Sequence, residues 1–152
     1  MQAIITYNNT KHELEIEQIR LDNLLDKKAL LHSKYFSVTS KPSETGIQSG
    51  SFKDKYAQFM IEFTKINKDT GMSLEQELMG QKSTVNKLTK ILDKMTDNLL
   101  QLQGLEYELY SQIVVKHNNI TKAVAKTAEI YECSLGTVWN CYNKKIKKLL
   151  KL

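Results

Sequence analysis

Near the C-terminus, Gly136, Asn140, Asn143 and Lys147 recur at intervals of four, three and four residues. On a helix this spacing places them on one side, with Thr137, Lys144 and Lys151 beside them. The groups gathered there are carboxamides, a hydroxyl and ammonium ions, with no acid among them. An Asn amide can bond adenine through two atoms, and a Lys ammonium neutralises a phosphate oxygen, so this side suits the base edges and backbone of a duplex. Lys122 and Lys126, on the helix predicted just before, add to the same charge. Residues 116–152 hold 8 Lys and 2 Glu, whereas residues 1–115 hold 14 Lys/Arg and 15 Asp/Glu, so the basic surplus of the chain is local. A concentrated surplus attracts an anionic partner, of which double-stranded DNA is the first candidate.

Other site chemistry is not indicated. His12, His32 and His117 are dispersed, and Cys133 and Cys141 stand eight apart without a histidine pair, which is not zinc spacing. Phosphate-cradling, dinucleotide-binding and metalloprotease motifs are missing, and no Ser or Cys has a recognisable base partner. The expectation is a protein that is not an enzyme and needs no cofactor or metal.

The basic side needs a helix with a greasy back. Counting 100° per residue from Val138, the inward side of a helix over Leu135–Leu150 collects Val138, Tyr142, Lys145 and Leu149, flanked by Cys141 and Ile146, and Lys145 must then snorkel outward. Ser134 is placed to cap that helix. Before it, a helix over Thr121–Tyr131 has Val124, Ala128 and Tyr131 on one face, and another runs over Leu105–Lys116. Two short helices joined by a tight break, the second bearing a polar face, form a helix-turn-helix, whose second helix enters the major groove. Glu132 stands where a Gly often makes that turn. The last helix has no Arg, and Arg20 is the only one in the chain; bidentate reading of guanine is therefore not available, which favours A·T-rich sites, modest affinity, or contacts that are mainly electrostatic.

The rest of the chain supplies longer helices. Leu14, Leu21, Leu24, Leu25 and Leu31 predict a helix over His12–Tyr35, and the Pro-, Gly- and Ser-rich stretch Ser37–Gly50 predicts a flexible loop. Phe52, Tyr56, Phe59, Met60, Phe63 and Ile66 mark an aromatic stripe on a second helix. After a turn over Lys68–Ser73, Leu78, Val85, Leu88, Leu92, Met95, Leu99 and Leu102 mark a third, with Gly80 a weak point. The chain reads as all-α: a long helical hairpin or coiled-coil region over 1–104 for oligomerisation or partner binding, then a three-helix helix-turn-helix unit over 105–152. At 152 residues, 41% hydrophobic and 26% charged with a single Pro, the composition is that of a folded domain. No apolar run approaches a bilayer span, and the N-terminus lacks the pattern of a secretory signal, so a cytoplasmic protein without membrane contact is expected.

The stretch TAEIYECSLGTVWNCYNKKIKKLLKL, residues 127–152, resembles the region-4-type helix-turn-helix of sigma factors and phage regulators, with Ala128, Ser134, Val138 and Trp139 in the matching places. The segment GIQSG at Gly46–Gly50, between one helix and an aromatic-striped second, resembles small proteins of Gram-positive phages and prophages that end in this motif. The resemblance to the ArpU and RinA groups implies regulation of late phage transcription. The expected function is sequence-specific DNA binding by a transcription regulator of phage or prophage genes, as a homodimer, with RNA polymerase a candidate partner. The alternatives are a small terminase or packaging subunit and a protein-interaction module that binds no DNA.

Overall fold

The computed structural model describes residues 5–36 and 52–151, so the loop expected over Ser37–Gly50 lies outside the described residues. The protein is all-α, and among the described residues the only extended pairing is an isolated bridge between Ile66 and Ser73. Its helices are α1 (Tyr7–Phe36), α2 (Phe52–Thr64), α3 (Leu74–Gln101), α4 (Gly104–Val114), α5 (Ile120–Ile130), α6 (Leu135–Cys141) and α7 (Lys147–Leu149), with a π turn (Tyr142–Ile146) between the last two. No helix is long and apolar enough to cross a membrane among the described residues. The chain packs as two compact units, one of Ile16–Val85 and one of Asn86–Leu152 together with the N-terminal residues through Glu15.

In the Ile16–Val85 unit, the less exposed positions of α1 before its last residue are Glu17, Leu21, Leu24, Lys28, Leu31 and Tyr35, a seam that alternates steps of four and three residues. Two of these carry charge, and each has a partner. Gln81 donates to the Glu17 backbone carbonyl at 2.9 Å and also to its carboxylate, and the Lys28 ammonium lies 5.1 Å from the centroid of the Phe63 ring. The expected aromatic stripe is present in part. Phe59 and Phe63 are buried and stacked at 5.5 Å, and His32 meets Phe59 edge-on, whereas Tyr56 is half exposed. Ile66 is a correction: α2 stops at Thr64, and Ile66 lies on the surface in the connection. The cause is local, because the Asn67 side chain accepts from the Asp69 N–H and Gly71 takes a positive φ of 71°, which closes a turn instead of another helical turn. Ser73 and Gln76 then exchange bonds between side chains and backbone N–H groups, a capping box that starts α3. Gly80 does not interrupt α3.

In the other unit, α4, α5, α6 and the π turn enclose one apolar cluster. Leu109, Tyr110, Ile113, Ala123, Val124, Val138 and Ile146 are almost wholly buried in it, and Met95 and Leu102 from the end of α3 and the segment after it join them. Burial pushes the Tyr110 phenol above its ordinary value, and its oxygen accepts a bond from Asn98 at 3.3 Å. The N-terminal residues brace the joint between α4 and α5: Thr6 Oγ1 lies 2.8 Å from His117 Nε2, and Asn8 donates to the Val115 carbonyl at 3.2 Å. His117 takes a left-handed φ of 63° at that joint.

The turn between α5 and α6 explains how the chain reverses without a glycine. The Cys133 N–H bonds the Ala128 carbonyl at 3.0 Å and the Glu132 N–H bonds the Glu129 carbonyl at 3.3 Å. These two bonds make a Schellman ending with Glu132 in the left-handed position, at φ 51°. A side chain there carries strain of about 1 kcal/mol that glycine does not. Glu132→Gly is therefore expected to raise stability by up to about 1 kcal/mol in urea denaturation. A loss of stability would show that the Glu132 side chain contributes more than its backbone costs.

Candidate nucleic-acid interface

The polar side of the last helix depends on how the rod α6–π turn–α7 is held. Ser134 caps it, its Oγ accepting from the Thr137 N–H at 3.2 Å and lying 2.8 Å from Thr137 Oγ1. Asn119 caps α5 in the same way, accepting from the Lys122 N–H at 2.7 Å. The buried back of the rod is Val138, Tyr142 and Ile146, with Trp139, Cys141 and Leu149 partly buried and Trp139 edge-on to Tyr142 at 5.7 Å. Burial pushes the Cys141 thiol above its ordinary value.

Lys145 is the second correction, for it does not lie on the inward side. The Lys147 N–H bonds the Tyr142 carbonyl five residues back, so the chain turns through roughly 80° per residue here instead of 100°. That extra residue brings Ile146 into the core with no exposure and leaves Lys145 outside, where its ammonium pairs with Glu106 at 2.8 Å. The driving force is direct: a wholly apolar Ile replaces a cation that would otherwise lose hydration.

Gly136, Thr137, Asn140, Asn143, Lys144, Lys147 and Lys151 are all exposed, as are Lys122 and Lys126 on α5. The Thr137 hydroxyl is already engaged by Ser134, so it contributes less free hydrogen-bonding capacity than its residue type suggests. Among the described residues the ion pairs made by lysines of residues 116–152 use Lys116, with Glu108 at 3.7 Å, and Lys145, and leave the other six lysines of that stretch without an acid partner. Lys148 belongs with the exposed set, although a uniform helical count leaves it off the polar side. The reduced rotation at the π turn swings it toward Asn140 and Lys144 and carries Lys147, still exposed, toward the flank, whereas a regular helix leaves Lys148 at the flank. The sequence clue to this shift is a lysine falling on the apolar seam one residue before an isoleucine.

Among the described residues no three His, Cys, Asp or Glu side chains come together as a metal site. Comparison with known proteins finds no family model, curated protein or solved structure that matches this chain.

Proposed function

We infer that α4, α5 and the rod beginning at Leu135 work as a helix-turn-helix that binds double-stranded DNA, and that the protein is a sequence-specific transcription regulator of phage or prophage genes. The observation that carries this reading is the division of one rod into a back of Val138, Tyr142 and Ile146, buried in the core, and an exposed side of Asn140, Asn143, Lys144, Lys147, Lys148 and Lys151 that has no acid. Such a side positions itself on phosphates through its ammonium groups and reads base edges through its amides. With no Arg on it, preference falls on A·T-rich duplexes. The half-exposed Ile19 and largely exposed Leu30 on α1 offer apolar surface for a homodimer, which would set two reading helices about one helical turn apart on a palindromic site.

The test is equilibrium binding of the full chain to alternating dA–dT and dG–dC duplexes over a salt series. Tighter binding to dA–dT is expected, with affinity falling log-linearly as salt rises. Asn140→Ala, Asn143→Ala and Lys147→Ala together should weaken dA–dT binding by about 10-fold or more, the worth of one lost base contact or above. Absence of binding at low salt rejects the proposal. Light scattering separates a dimer from the many-membered ring expected of a packaging subunit.

A further inference from the structure

The start of the rod holds two residues that the fold does not explain. Gly136 has a backbone conformation outside the left-handed region, and a Cβ built on it meets only Ser134 Oγ, at 3.9 Å, an ordinary contact. Neither conformation nor crowding calls for glycine there, although glycine weakens a helix relative to alanine. Immediately before it, Leu135 leaves 55% of its surface in water. Both sit at the end of the rod that a helix-turn-helix directs at base edges, on a surface whose unpaired lysines select a polyanion.

Resting on the DNA-binding reading above, we propose that Gly136 is the point of closest approach to the duplex and that Leu135 contacts thymine methyl groups in the major groove. Without a side chain, Gly136 lets the helix backbone settle against the base-pair edges. That approach brings the neighbouring Leu135 side chain to the C5-methyl, the one apolar group that distinguishes an A·T pair in that groove. Leu135 thereby loses its exposure on binding, and the A·T preference gains a component that depends on shape and apolar contact in addition to the Asn amides.

Alternating dA–dT and alternating dA–dU duplexes of equal length differ only in that methyl, and the full-length protein is titrated with each. The expected result is about 4-fold tighter binding to dA–dT for each methyl buried. Leu135→Ala should bring the ratio to about one, while Gly136→Ala should weaken binding to both duplexes by about 10-fold, through the added methyl at the contact, without lowering the melting temperature. Gly80→Ala is the control: Gly80 is also helical and uncrowded but belongs to the other unit, and the substitution should raise thermal stability and leave DNA affinity unchanged. A wild-type ratio of one, a ratio that survives Leu135→Ala, or unchanged affinity in Gly136→Ala overturns this proposal while the DNA-binding reading stands. Failure to bind either duplex overturns both.

Discussion

Changing Lys144, Lys147 and Lys151 together to Gln should lower affinity for an A·T-rich duplex by about 10²–10³-fold at 0.1 M salt, and should make the plot of log affinity against log salt shallower by about 2.7. Each exposed ammonium that meets a phosphate releases condensed counterions, and three such contacts account for both figures. Gln keeps most of the aliphatic stem, so packing along the rod is preserved. The comparison that gives the result its meaning is Lys145→Gln. Lys145 lies one residue from Lys144 in sequence but is paired with Glu106, so its replacement should leave the salt slope unchanged. Equal slopes for the triple variant and the wild type would remove these lysines from the interface.

Ile146→Ala should cost about 2–5 kcal/mol in urea denaturation, the range for truncating a wholly buried aliphatic side chain in a packed core. Ile146 is held against a cluster that includes Val138 and Tyr142, and the π turn exists to put it there. Emptying that position removes both the burial and the reason for the altered winding. Lys145→Ala, by contrast, loses one exposed ion pair and should cost no more than about 1 kcal/mol. Equal effects at the two positions would mean that the inward side is the one given by a regular helix.

These two neighbours also show where sequence reading succeeds and where it stops. The helices were legible because apolar residues recur at helical spacing, and the start of the last helix was legible because Ser134 is a residue type that can accept from a free N–H. The left-handed position at Glu132 was visible as the place of an expected glycine, and the backbone takes that conformation without one. The exchange of Lys145 for Ile146 was not visible, because a helical count assumes one constant rotation per residue and the balance between desolvating a cation and widening one turn is decided by the surrounding core. Ile66 failed for a related reason: its spacing continues the stripe, but the bonds around Asn67 and Gly71 end the helix first. The contact of Thr6 with His117 joins residues 111 positions apart, and no local pattern encodes it.

That distant bracing decides how the protein can be dissected. Cutting the chain before residue 105 would remove Met95 and Leu102 from the centre of the C-terminal cluster, and with them Tyr7 and the support at His117. An excised tail of this kind would be left with a hollow interior, and its silence in a gel shift would report collapse, not indifference to nucleic acid.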